Sequence, residues 1–149
     1  MLQASIEFLS KEGFQIFLSV VLGGAIGLER EFRGKPAGLR TNILICMGAT
    51  LFMIISSKVA QMGGQNFDPG RISAQVVTGI GFLGGGSIMQ SGLTVHGLTT
   101  AATIWVVGAI GLAIGSSHFS IAIGTSVILL IVLVALRWVE SFLSPKADK

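Results

Sequence analysis

From Pro69 to Met89 the chain carries a single charged residue, Arg71, and this uncharged, helix-length run restricts the fold more than any other feature. As one helix it would be about 31 Å long, close to the thickness of a bilayer's hydrocarbon layer. Asp68 is placed to cap that helix by accepting its first free backbone N–H groups, and Pro69 suits the first helical position. Ala74, Thr78, Gly81 and Gly85 follow in steps of four, three and four. They form a stripe of small side chains along which another helix backbone can come close.

The rest of the chain has the same character. Only 11% of its residues are charged and 51% are hydrophobic, against roughly 25% charged in soluble domains. A water-soluble globule is excluded, and a multi-pass, all-α membrane bundle follows. Five spans are predicted, at approximately 14–28, 41–59, 69–89, 99–115 and 119–139, all in one transmembrane domain. Residues 1–13 read as a short interfacial helix. No cleavable signal peptide is expected, because Glu7 and Glu12 precede the first apolar run and no basic stretch does. Residues 90–98 read as a short polar link.

An odd number of spans puts the termini on opposite sides. With the N-terminus outside, Arg30, Arg33, Lys35, Arg40, Arg137, Lys146 and Lys149 lie inside and Lys11, Lys58 and Arg71 outside, seven against three. The excess of inward positive charge favours that orientation, with Trp138 marking the inner interface. The net charge of +3 sits at span boundaries and points to topology, not to nucleic acid.

A weak repeat runs through the first four spans. Gly23-Gly24-Ala25-Ile26 is echoed by Gly85-Gly86-Ser87-Ile88, and Gly38-Leu39-Arg40-Thr41 by Gly97-Leu98-Thr99-Thr100. Both offsets are near sixty, roughly what tandem copies of one helical hairpin would give.

Residues 79–84, GIGFLG, satisfy G-x-G-x-x-G, but they lie inside an apolar span, and Thr100 stands where a dinucleotide site needs an acid. Close packing explains the glycines, as it explains the pairs Gly23/Gly27, Gly81/Gly85 and Gly111/Gly115. A second reading lets Gly84, Gly85 and Gly86 unwind the helix and present carbonyls to a cavity. Arg71 and Glu29 oppose the dipoles of their helices, which predicts the pairs Asp68–Arg71 and Glu29–Arg40 as locks at the membrane boundary. Thr99, Thr100 and Thr103 open the fourth span and suit local capping, or an anion at the helix start. His96 and His118 fall on opposite sides, so no metal site is expected, nor any cofactor. Cys46 reads as an apolar filler. No nucleophile with a base in reach is recognisable, which predicts a protein that is not an enzyme.

Three stretches together carry a family resemblance: GGAIGLEREFRGKPAGLRT (23–41), DPGRISAQVVTGIGFLGGGSI (68–88) and VHGLTTAATIW (95–105). They resemble the MgtC/SapB family of bacterial membrane proteins over nearly all of residues 15–115. The matching positions are Glu29, Arg30, Gly38, Arg40, Thr41, Asp68, Pro69, Arg71, Gly79, Gly81, Gly84, Gly86, Gly97, Thr99, Thr100 and Trp105. Gly85 stands where the motif usually has alanine. The resemblance implies a hydrophobic domain of about five spans in the bacterial inner membrane, a link to growth in low magnesium and to ATP homeostasis, and Asp68 as the most sensitive position. It covers the hydrophobic domain only, without the soluble C-terminal domain of the name-giving branch. The expectation is a membrane protein that modulates magnesium or ATP homeostasis by helix association, with itself as a homodimer or with a membrane-protein partner. The alternative is a small magnesium transporter or channel with its path at a dimer or repeat interface.

Overall fold

The computed structural model describes residues 11–62, 68 and 70–143, from 137 onward as backbone only. The expected interfacial helix at 1–13 falls almost entirely outside them, as do Pro69, Lys146, Lys149 and the side chains of Arg137 and Trp138. Five helices follow in order: α1 (Gly13–Phe32), α2 (Leu39–Met62), α3 (Gly70–Gly86), α4 (Leu98–Gly115) and α5 (Phe119–Leu143). Four of them, α1, α2, α4 and the Phe119–Leu136 part of α5, are long and apolar enough to cross a membrane.

α3 differs from the predicted third span. It has 17 residues and is unbroken to Gly86, so it is roughly 25 Å long. The glycine triplet ends the helix and does not unwind its middle. Glycine is a poor helix former, and the Ser87 hydroxyl adds a 2.7 Å bond to the Gly84 carbonyl while the Ser87 N–H donates to the same oxygen at 3.0 Å. The supposed polar link is an antiparallel hairpin, β1 (Met89–Ser91) and β2 (Thr94–His96), in register Met89↔His96, Gln90↔Val95 and Ser91↔Thr94. Gly97 then turns the chain into α4 at φ +91°, and a side chain there would overlap the Ser87 carbonyl. Only glycine meets both conditions.

The α1–α2 turn is tight for equally local reasons. Lys35 N–H reaches back to the Arg30 carbonyl at 3.0 Å and Gly34 N–H to that of Glu31 at 2.9 Å, with Gly34 at φ +58°. This is the glycine-terminated helix end that satisfies orphan carbonyls, and Pro36 follows it. Across the turn, Glu31 Oε2 accepts the N–H of Leu39, the first residue of α2, at 3.0 Å.

α2 is the centre of the bundle. A Cβ on Gly23 would stand 2.8 Å from the Asn42 carbonyl and 2.9 Å from Cys46 Cβ, and one on Gly27 would stand 2.7 Å from Leu39 Cα. On the other flank, Gly111 faces Cys46 and Ala49, Gly115 faces Thr50 and Met53, and Thr50 Oγ1 donates to the Gly111 carbonyl at 2.9 Å. Residue numbers rise together along that contact, so α2 and α4 run parallel. α3 rests on α4 through Gly84 against the Ala101 carbonyl, and Gly108 lies beneath Ile80. α5 covers α1 and α4: Phe119 meets Phe14 edge-on at 5.5 Å, while Ala122 and Leu133 join the core of Ile26, Cys46, Val107, Ile110 and Ile114.

The helix-length glycine contacts therefore divide. Gly23, Gly27, Gly111 and Gly115 hold the bundle together, whereas Gly81 and Gly85 have nothing within 4 Å of a would-be side chain. Gly27→Leu should destabilise the protein by about 1–3 kcal/mol or more, since the obstacle is backbone. Gly81→Leu should leave the fold within about 0.5 kcal/mol of wild type. Unfolding of both variants in mixed detergent checks the contrast, and equal losses would show the assignment to be wrong.

Candidate functional site: the charged collar and the open face of α3

The charges of the first hairpin gather at the last turn of α1. Arg30 is buried, its side chain 4% exposed, and its Nε donates to Glu29 Oε2 at 2.5 Å. Glu29, 10% exposed, also faces Arg33 one turn on. Two guanidinium groups thus flank one carboxylate inside a nearly dry corner. The Glu29–Arg40 lock predicted from sequence does not form: Arg40 is exposed at the surface. Helical spacing explains the correction. Asn42 and Cys46 are the α2 residues turned toward α1, and Arg40 lies about 200° around the helix from Asn42. Arg33, four residues from Glu29 on the same helix, is already in reach.

The second predicted pair is also replaced. Asp68 Oδ1 accepts the Gly70 N–H at 2.7 Å, and the Asp68 carbonyl accepts the Arg71 N–H at 3.3 Å. Asp68 therefore caps the start of α3, and among the described residues no side-chain pair joins it to Arg71. Both residues border a shallow recess with Gly70, Ala74 and Gln75. The ion pair holding that end of the bundle is one the sequence did not suggest, Lys58 Nζ to Glu12 Oε1 at 2.6 Å.

Ala74, Thr78, Gly81 and Gly85 are all exposed. α3 turns Ile80 and Gly84 toward the protein and the small-residue stripe away from it. The threonines at the start of α4 behave more locally than a ligand site would. Thr103 Oγ1 donates to the Thr99 carbonyl at 2.8 Å, Thr100 is buried, and Gly97, not a threonine, occupies the cap position. Each histidine is tied to a neighbouring hydroxyl, His118 Nδ1 to Ser116 at 2.9 Å and His96 Nε2 to Thr94 at 3.3 Å. Among the described residues no three His, Cys, Asp or Glu side chains converge on a metal-sized site.

The buried polar residues are the ones sequence reasoning passed over. Gln15 Nε2 donates to the carbonyls of Ile114 and Gly115 at 2.8 and 3.1 Å, closing the C-terminus of α4. Asn42 Nδ2 donates to Ala37 at 2.5 Å and Gly38 at 2.9 Å, and its Oδ1 is buried with no donor. Their position within helix-length apolar runs was the available signal, since a polar group in a span needs a partner. Gln75 and Thr78, polar residues of the third predicted span, are exposed.

The MgtC family profile matches residues 16–142. The chain belongs to the MgtC family. It is 50% identical over 123 residues to a protein named putative magnesium transporter YhiD, from Escherichia coli K12, covering 80% of this chain and 57% of that one. It is 44% identical over 130 residues to uncharacterized protein slr0014 of Synechocystis, covering 87% and 54% of the two chains. Protein MgtC of Salmonella typhimurium LT2 is 43% identical over 122 residues, covering 82% and 51%. The chain thus spans about half the length of these relatives. No solved structure matches it.

In this MgtC-family chain, Glu29→Gln leaves the buried Arg30 without its carboxylate and should cost about 3–5 kcal/mol. Arg40→Gln should cost less than about 0.5 kcal/mol, and the double variant should equal the sum of the two. Thermal unfolding in detergent measures all three, and a coupling energy between positions 29 and 40 would restore the rejected pair.

Proposed function

We propose that this chain is a non-enzymatic component of the bacterial cytoplasmic membrane that modulates magnesium or ATP homeostasis through helix association, with itself or with a membrane-protein partner. The observation that carries this reading is the division of labour among small and polar residues. Inside the bundle, Gln15, Asn42, Thr50 and Thr103 each donate to a backbone carbonyl. They are committed to holding helices, while the small-residue side of α3 is left open to a neighbour. Small exposed stripes are how helices associate in lipid, where burial of apolar surface supplies no drive. The magnesium connection is supported by family membership and by the name of the relative YhiD.

The name of that relative also favours a second reading, a magnesium transporter. Ion passage would require polar groups free to exchange ligands, with Asp68 at the recess beside Arg71 as the point of entry. Reconstitution of the full chain in liposomes with an entrapped magnesium indicator decides between them. No flux above protein-free vesicles is expected. Flux abolished by Asp68→Ala would overturn the modulator reading in favour of transport.

We further infer an N-terminus-outside orientation and a tandem repeat of hairpins, α1–α2 and α3–α4, about an axis along the bundle. The repeat is supported by burial at a constant offset: Asn42 and Thr103, Cys46 and Val107, Ala49 and Ile110, and Thr50 and Gly111 are buried pairs 61 positions apart. Ser19 and Ile80, and Gly23 and Gly84, keep the same offset in α1 and α3. Asn42 and Thr103 each donate to the carbonyl four residues back. Asn42→Thr should therefore be better tolerated than Asn42→Val by about 1 kcal/mol, one net hydrogen bond. Equal stability of the two variants would argue that position 42 is no counterpart of 103.

A further inference from the structure

α2 and α3 form a groove of about 520 Å³ whose walls include Ile45, Phe52, Gln75, Gly79 and Leu83. Nothing lies within 4 Å of a side chain built at Gly79, or at Gly48 on the facing helix. The counterparts of these walls at the same offset of 61 are Val106, Ala113, Phe14, Leu18 and Leu22. They belong to α1 and α4, the two helices that α5 contacts. Leu18, Leu22, Val106 and Ala113 pack against the core cluster containing Ala122 and Leu133 of α5, and Phe14 meets Phe119 of α5 edge-on. On the repeat reading, one of two corresponding helix seats is filled from within the chain and the other is open.

We propose that the α2–α3 groove is a helix seat filled by α3 of a second copy of this chain, giving a twofold dimer. The inference rests on the repeat reading above. Three observations select this occupant. α5 starts beside the start of α1 and runs parallel to it, so the equivalent occupant runs parallel to α3. A twofold axis along the bundle places α3 of the other copy in that direction. Such a contact is isologous and closes on itself, whereas inserting α5 of another copy would be head-to-tail and would continue into a chain of copies. Finally, Gln75 stands at the position of Phe14 in the filled seat, exposed on the groove wall, and its amide has no hydrogen-bond partner among the described residues. Lipid tails offer that amide nothing, and the same residue of a second copy offers both a donor and an acceptor.

The seat lies on the opposite side of α3 from Gly81, so the two faces are separable. Single cysteines are introduced at Gln75→Cys, Gly81→Cys and Ile128→Cys in the full chain, and membranes are treated with a mild oxidant. Cys46 is wholly buried and stays in place. Gln75→Cys is expected to give a disulfide-linked dimer at least tenfold above the background set by the wild-type chain, with the other two at background. Cross-linking at Gly81→Cys or Ile128→Cys as strong as at Gln75→Cys, or a monomer at all three, overturns the proposal. The monomeric outcome would leave the groove to lipid. In a second arm, Gly79→Trp, bulkier than the Leu18 that the filled seat accommodates, fills the groove and should convert the dimer to monomer in light scattering at unchanged helix content. A dimer that survives Gly79→Trp overturns the seat as well. The repeat is tested separately by Asn42→Thr: if that variant behaves as expected and the dimer is absent, the seat fails and the repeat stands.

Discussion

Everything in this bundle depends on how closely α2 is approached from two sides. Cys46 is fully buried between Gly23 of α1 and Gly111 of α4, and the same side of α2 carries Asn42, Ala49 and Thr50. In lipid there is no hydrophobic gain from burying an apolar helix against another, so stability has to come from dispersion at short range and from a few polar bonds. Backbone-to-backbone contact supplies the first, and the Thr50 bond to the Gly111 carbonyl supplies an instance of the second. Because α1 and α4 both lean on one helix, a single bulky replacement along that seam loosens both flanks together.

The polar residues inside the bundle serve the same constraint. Helix ends and turns left within the bundle hold carbonyls and N–H groups that need partners, and several of them here have a dedicated side chain. Gln15 closes α4, Asn42 ties down the turn at Ala37 and Gly38, and Glu31 caps α2 from the end of α1. The buried Arg30 extends this arrangement to charge, with Glu29 as counter-ion and Arg33 as a second cation nearby. A group engaged in this way has little freedom to pass an ion along. That is the physical ground for reading the interior as scaffold and for the proposal that association uses the exposed faces of α3.

How far the sequence foretold this depends on whether the signal is local. The membrane class, the five helices and the family were legible, because run length, charge spacing and three contiguous motifs carry them. The hairpin at 89–96 was not, since Met89, Val95 and His96 show no turn dipeptide beyond Gly92-Leu93 and the run is too short for a clear period of two. The partners of Glu29 were misassigned for a different reason. Dipole arguments say that a charge needs compensation, but which cation supplies it depends on helix rotation, and rotation is set by Gly23 and Gly27 seating against α2. The glycine patterns were equally ambiguous: Gly23/Gly27 and Gly81/Gly85 share a spacing, and only the packing shows that one pair is buried and the other bare.

The sparse covering of α3 is informative when set against the proposed repeat. Two copies of a hairpin would be expected to have equivalent surroundings, yet α1 is wrapped by α2, α4 and α5 while α3 contacts α4 and part of α2. Under the proposed repeat the asymmetry arises from α5, which contacts α1 and α4 and so covers one of two corresponding crevices. Glycine at 79 and 48 keeps the α2–α3 crevice deep, whereas the proposed repeat sets Leu18 opposite position 79. A groove needing only to meet fluid acyl chains gains nothing from that depth. One that receives another helix does, because dispersion at close range is the main attraction available to helices in a bilayer.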